Sequence, residues 1–372
     1  MKKVREILLR LVTTRVAWPI VLTIGALCTM SILALQLTSP ERAQRQKIHI
    51  AVGVGVMLLM LVPHFQNVGR VAYGLLIASV VLLVLVFGTE AINGSKRWFQ
   101  LTSAVQLQPS ELAKIAYVLS MAWYLRYRKD IRFLSGLVVP FVLTLIPCLL
   151  IMREPDLGTA LLFPCVLYVM LIAAGARLRH LISIALIVLL AAPGAFPLLT
   201  EYQQTRIKTV VKYWMNSEGG QKGRQGYSDN VFQQQRSVAA IGSGGTWGLG
   251  EKGGQYVEQV PERHTDFVMA TIGAQWGFAG SLVLLLLYLA FFGAALEIAD
   301  STKDQFGRLM VVGLASMILF QALINVSMTI ALAPVVGITL PFVSYGGSSL
   351  VTNMIAAGLL LNVSIGRGKG AG

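Results

Sequence analysis

The chain has 372 residues, 55% of them hydrophobic and only 13% charged, with a mean hydropathy of +0.68 and a formal net charge of +14. Its apolar residues gather in repeated runs near the roughly 20 residues that cross a bilayer, which excludes a soluble globular protein and predicts a polytopic helical membrane protein. The positive charge forms no basic stripe with interleaved aromatics, so it reads as topology and attraction to anionic lipid heads, with no nucleic-acid partner.

In chain order the predicted spans are approximately 17–37, 48–63, 69–88, 110–126, 133–152, 157–175, 180–199, 266–293, 308–333 and 345–365. The expected fold class is therefore all-α: one membrane domain over 1–372, with about ten transmembrane helices and one long extracytoplasmic loop at 200–265. An even number of spans puts both termini on one side. With that side inside, sixteen Lys and Arg fall on inner segments and six on short outer loops, so both termini are expected in the cytoplasm of a bacterial inner-membrane protein. The first run is read as an uncleaved span, since Leu27 is too large to precede a lipoprotein cysteine and the run continues past it. Cys28, Cys148 and Cys165 lie inside apolar runs, without metal or disulfide spacing.

The 200–265 loop is too polar and too rich in glycine to cross lipid. Within it Ile207, Val210, Val211 and Trp214 share one helical face opposite Arg206, Lys208 and Lys212. That pattern suits a helix on the outer leaflet, or equally one packed on the protein's own outer surface. Gly242-Ser243-Gly244-Gly245 reads as flexibility more than as a phosphate loop. No internal or inverted repeat supports a transporter.

Five clusters carry chemistry, all expected on the outer side. Pro261-Glu262-Arg263-His264-Thr265-Asp266-Phe267 packs four ionisable residues before the eighth span. A carboxylate at Asp266, partly shielded yet reachable from outside, suits a general base, and the bland reading is a helix cap. Glu111 and Lys114 are three apart on one face of the fourth span, where an intramembrane lysine marks either a working cation or a structural ion pair. Lys96-Arg97-Trp98-Phe99 combines cations with aromatics at headgroup level, as an interfacial anchor or a phosphate clamp. Asp156 stands at the expected N-cap of the sixth span. Ser344-Tyr345-Gly346-Gly347-Ser348-Ser349 brings small residues and backbone N–H groups to the outer end of the last span. Together they describe a site for an anionic, lipid-anchored substrate bearing a group to be deprotonated.

The blocks GSKRWFQL, QPSELAK, EPDLGT, AIGSGG, PERHTDF and PVVGITLPFVSYGGSS, in this order from 94 to 349, closely resemble the SEDS family of membrane glycosyltransferases. Arg263 within PERHTDF favours the RodA branch over the FtsW branch, where a small residue is usual. The resemblance implies a peptidoglycan glycosyltransferase that polymerises lipid II during cell elongation. Asp266 would be the catalytic residue, with inversion at the anomeric carbon and release of undecaprenyl pyrophosphate. Arg97, Lys114, Glu111, Asp156, Glu262, Arg263, His264, Ser344 and Ser348 would contact substrate. It further implies a class B penicillin-binding protein as partner, docking on the long loop and on the eighth and ninth spans. A divalent cation, Mg or Mn, is the one cofactor expected, with ligands unassigned. Two departures stand out: Glu154 where the family usually has Gln, and Gln275-Trp276 in place of an acidic pair. A lipid-linked-sugar flippase, an FtsW-like division polymerase and a scaffold remain the alternatives.

Overall fold

The computed structural model describes residues 14, 17–89, 97–100, 106–198, 204, 208 and 229–366. Helix α1 (Trp18–Thr38) and α2 (Pro40–Leu59) are followed by a short α3 (Phe65–Arg70) and by α4 (Ala72–Leu85). A two-residue antiparallel ladder, β1 (Phe99–Gln100) with β2 (Gln106–Leu107), leads into α5 (Pro109–Leu125), α6 (Leu134–Arg153), α7 (Leu157–Ala173) and α8 (Leu178–Ala195). After α9 (Asp229–Ser243) and α10 (Gly253–Val257) come α11 (Val268–Asp300), α12 (Gln305–Thr329) and α13 (Gly347–Gly366).

All ten apolar runs read from the sequence coincide with helices. Five of these are long and apolar enough to cross a membrane by length and composition, and three shorter apolar helices accompany them. The largest boundary difference is in α2, which starts at Pro40 rather than near 48, because proline in the first turn and Glu41 beside the helix N-terminus favour an earlier start.

Burial sorts the helices. The apolar windows of α12 and α13 are each 72% buried, against 33% for α6, so the first two form the centre of the bundle and α6 lies at its rim. Outward residues such as Ile187, Val188, Leu189 and Leu190 on α8 are exposed and apolar, as lipid contact requires.

Helix α11 is broken at Gly277, whose φ of 64° is left-handed and strained for any residue with a Cβ. The break frees backbone groups that the glycine-rich stretch then satisfies. Phe278 N–H donates to the Gly245 carbonyl at 2.8 Å, Ala279 N–H to that of Thr246 at 3.0 Å, and Leu249 N–H donates to the Ala274 carbonyl at 3.0 Å. Gly242-Ser243-Gly244-Gly245 is therefore a packed segment, which corrects its reading as mere flexibility. A Cβ at Gly244 would collide with the Gly273 carbonyl oxygen. The amphipathic pattern at 207–214 falls outside the described residues apart from Lys208. Of the 200–265 loop, the described part from 229 onward carries α9 and α10, packed against α11.

Because the collision at Gly244 is with backbone, Gly244→Ala should lower stability by about 1–3 kcal/mol, the usual range for overpacking. Thermal melting of the detergent-solubilised protein would register it, and an unchanged midpoint would mean that the loop does not rest on α11 as described.

Candidate active site

Lys114 lies one turn into α5 and is only 3% exposed. Its ammonium donates to Glu111 Oε1 at 2.9 Å and to Gln321 Oε1, on α12, at 3.2 Å. Gln321 in turn donates to the Thr339 carbonyl and hydroxyl, at 3.1 and 3.2 Å. The Thr339 hydroxyl lies 2.7 Å from that of Ser349, which accepts from Asn353 at 3.4 Å. A buried lysine with one carboxylate and one amide oxygen satisfies two of its three donors. The third has no protein partner among the described residues.

Asp266 stands on the turn before α11, partly buried. Phe267 holds the N-cap position of α11 and makes no side-chain cap, so Asp266 stands one residue before the N-cap. Asn325, one turn beyond Gln321 on α12, donates to the Asp266 carbonyl at 2.8 Å and to the Ile338 carbonyl at 2.6 Å. The carboxylate faces the segment between α12 and α13, for a Cβ on Gly337 would sit 3.4 Å from Asp266 Oδ2. Ser344 ties the same segment to the turn. Its hydroxyl donates to the Thr265 carbonyl at 2.5 Å and accepts from Leu340 N–H at 2.7 Å, while Tyr345 N–H donates to the His264 carbonyl at 2.8 Å.

Around Asp266, Glu262 is exposed and accepts from the Thr265 hydroxyl at 2.8 Å. Arg263 donates through Nε to His264 Nε2 at 3.3 Å and through Nη1 to the Glu258 carbonyl at 2.7 Å. Burial, then the charges of Arg42 and Arg263, push His264 down to about 4. The imidazole is thus neutral at pH 7, and with Nε2 accepting, its proton sits on Nδ1, 3.5 Å from the Thr38 hydroxyl. Arg42, which the sequence reading passed over, also lies over the Tyr345 ring at 5.9 Å.

The third group centres on the link between α6 and α7. Asp156 caps α7, accepting from Thr159 N–H at 3.1 Å, and its other oxygen accepts from Gln108 at 3.1 Å. Gln108 N–H donates to the Ser348 hydroxyl at 3.4 Å. Glu154 is 1% exposed, and among the described residues neither of its oxygens has a hydrogen-bond partner. Burial, then the Asp156 carboxylate, raise its pKa to about 8, with Arg97 opposing. Arg97 is thereby placed beside the acidic pair.

Asp266, Arg97, Lys114, Glu111, Asp156, Glu262, Arg263, His264, Ser344 and Ser348 thus fall in these three groups, whereas Lys96 lies outside the described residues. Gln321 and Asn325 support the first two groups from α12, with Thr339 and Ser349 behind Gln321; Ser349 belongs to the serine cluster named from the sequence, but Gln321 and Asn325 were not singled out. Their signal was weak: uncharged polar residues in or beside apolar runs, with Gln321 and Asn325 four apart on one helical face. Gln275, at the second departure, donates to the Ala34 carbonyl at 3.3 Å and packs α11 on α1. Among the described residues no group of three or more His, Cys, Asp or Glu side chains could hold a metal ion.

The family of FtsW, RodA and SpoVE cell cycle proteins matches residues 6–368. The chain is 36% identical over 331 residues to the probable peptidoglycan glycosyltransferase FtsW of Trichlorobacter lovleyi, covering 87% of this chain and 83% of that protein. To the peptidoglycan glycosyltransferase MrdB of Escherichia coli K12 it is 35% identical over 320 residues, covering 84% and 83%. A chain from a solved peptidoglycan synthase complex, described as coordinating polymerization and crosslinking, superposes with a TM-score of 0.81 at 29% identity, covering 95% and 98%.

Since the folded-state pKa of Glu154 lies above its ordinary 4.5, the folded protein holds a proton that the unfolded chain has released, and stability falls as pH rises from about 4.5 to about 8. Glu154→Gln keeps a neutral polar group there. Its melting temperature should exceed the parent's at pH 8 and should depend less on pH between 5 and 8. Parallel pH profiles for the two proteins would mean that Glu154 is already ionised in the fold.

Proposed function

Because the chain belongs to the FtsW, RodA and SpoVE family of membrane-embedded peptidoglycan glycosyltransferases, we propose that it joins lipid II units with Asp266 as general base and Lys114 and Arg97 as the cations that receive the leaving pyrophosphate. One observation carries this reading. Asp266, through its backbone carbonyl, and Lys114, through its ammonium, are held by Asn325 and Gln321, which are neighbours one turn apart on the largely buried α12.

In the reaction Asp266 takes the proton of the sugar 4-hydroxyl of one lipid-linked disaccharide. The freed oxygen forms a bond to the anomeric carbon of the other, and the bond from that carbon to the pyrophosphate oxygen breaks with inversion. The pyrophosphate departs as an anion, and cations fixed in a low-dielectric setting stabilise that developing charge without reorganising. Neutral His264 adds no competing charge beside the base, while Arg263 and Arg42 supply positive potential at its flank. Among the described residues no resident metal centre is formed. A Mg or Mn ion is retained in the proposal only as a companion of the substrate's own phosphates, which would supply most of its oxygen ligands, and no step depends on it.

The assignment to cell elongation rests on Arg263 in PERHTDF, since identities of 36% and 35% to FtsW and MrdB do not separate the branches. The cytoplasmic termini and outward-facing site rest on the charge asymmetry of the connectors. A crosslinking transpeptidase of the penicillin-binding class is the proposed partner, by analogy with the synthase complex that the chain resembles. Its docking face is the row Phe278, Leu282, Leu286 and Leu289 on α11, apolar and exposed. The ninth span, expected beside it, is α12, which is largely buried and offers little surface.

Asp266→Asn removes basicity while keeping size, so glycan polymer formed from purified lipid II, with and without the transpeptidase, should fall by about 10²–10⁴-fold, with lipid II binding little changed. A variant that polymerises near the parental rate would overturn the base assignment, and one that loses binding as well would recast Asp266 as a substrate contact.

A further inference from the structure

At the ends of α5 and α12 remote from Lys114 and Asn325, a cavity of about 290 Å³ opens between those helices and α3. It lies twelve residues along α5 from Lys114, about 18 Å of helix, and so is separate from the site described above. Trp123 forms one wall, packed edge-on to Phe306 with ring centroids 5.1 Å apart. The Arg126 guanidinium lies over Trp123 at 3.2 Å and near the Tyr127 ring at 4.8 Å. Such stacking fixes the plane of the guanidinium and leaves its N–H edge available to an anion.

Arg70 faces the same cavity and, among the described residues, donates only to the neutral Asn67, at 3.2 Å. The one acid in the lining, Asp304, is occupied: one oxygen caps α12 through Gly307 N–H at 2.8 Å, and the other accepts from Gln66 at 3.2 Å. Among the described residues no carboxylate pairs with Arg70 or Arg126. Two arginines, an aromatic wall and a consumed acid make a receptor for an oxyanion.

The surroundings say which oxyanion. Helix α4 begins two residues after Arg70 and exposes Tyr73, Ile77, Val81 and Val84, which at offsets of 0, 4, 8 and 11 share one apolar face running along the helix from its Arg70 end. An anion carrying acyl chains can place its head between the arginines and its chains on that face, whereas a soluble anion uses only the first. We propose that this cavity binds the phosphate of an anionic phospholipid headgroup between Arg70 and Arg126. The site is independent of the glycosyl transfer and of the compartment it faces.

The test uses the full chain in neutral detergent, titrated with short-chain phosphatidylglycerol, with short-chain phosphatidylcholine, or with inorganic phosphate, and followed by thermal melting. Phosphatidylglycerol should raise the melting temperature saturably, and the other two should not. In Arg70→Gln and in Arg126→Gln the half-saturating concentration should rise roughly tenfold, the loss of one charge-assisted hydrogen bond. Arg128→Gln should bind as the parent does, because its guanidinium lies over Tyr124, away from the cavity lining. Arg70→Gln leaves the Arg126 stack intact, so it carries the test even if Arg126→Gln fails to fold. Equal shifts from inorganic phosphate or phosphatidylcholine, no shift at all, or unaltered affinity in Arg70→Gln would each overturn the proposal.

Discussion

An ammonium and a carboxylate buried together inside a helix bundle are the constraint around which this protein is arranged. Placing Lys114 within an apolar layer is unfavourable by about 3 kcal/mol unless it is paired, and its pairing with Glu111 recovers this only when the remaining donors and acceptors are met as well. The answer to that demand is Gln321, which requires α12 to lie against α5. Gln321 in turn requires Thr339, and so the irregular segment between α12 and α13 must fold back over the polar end. Much of the central architecture follows from where these hydrogen bonds must go.

The same segment delivers Asp266. Ser344 and Tyr345 grip the turn before α11, and Asn325 grips it from α12, so the carboxylate is positioned by backbone hydrogen bonds on both sides. Rigidity of this kind suits a base, since a displacement of about 1 Å can lower a rate on the order of 10²-fold. The break at Gly277 extends the hold from the other direction. By exchanging hydrogen bonds with the glycine-rich stretch, two donated to it and one accepted from it, it fastens the outer segment to the helix that Asp266 precedes.

How much of this could be read from the sequence depended on the strength of each signal. The spans were legible because bilayer thickness fixes their length, and all ten coincide with helices. Asp266 and Lys114 stood out because ionisable groups are rare beside or within apolar runs. Gln321 and Asn325 did not, since a single amide in a span is common and its meaning lies in what faces it. The glycines near 244 read as freedom, although close backbone approach also demands glycine, and only the partner helix distinguishes the two. Asp156 had two readings from sequence, and the cap is present with a second bond from Gln108 added to it. For Glu154 the sequence offered only a departure from the family pattern; the fold adds that it is buried and that neither oxygen has a partner among the described residues.

The central claim is that the Lys114–Glu111 pair works on the substrate rather than merely joining helices, and one double variant separates these roles. Lys114→Met with Glu111→Gln removes both charges together, and a structural pair replaced by neutral groups of similar size is often tolerated. The measurement is glycan polymer formed from purified lipid II by that variant, with its melting temperature recorded alongside. This account predicts a folded protein with a near-parental melting temperature and polymerisation lowered by at least about 10²-fold, the scale for losing one electrostatic contact to a leaving charge. A folded double variant that polymerises at close to the parental rate would contradict it.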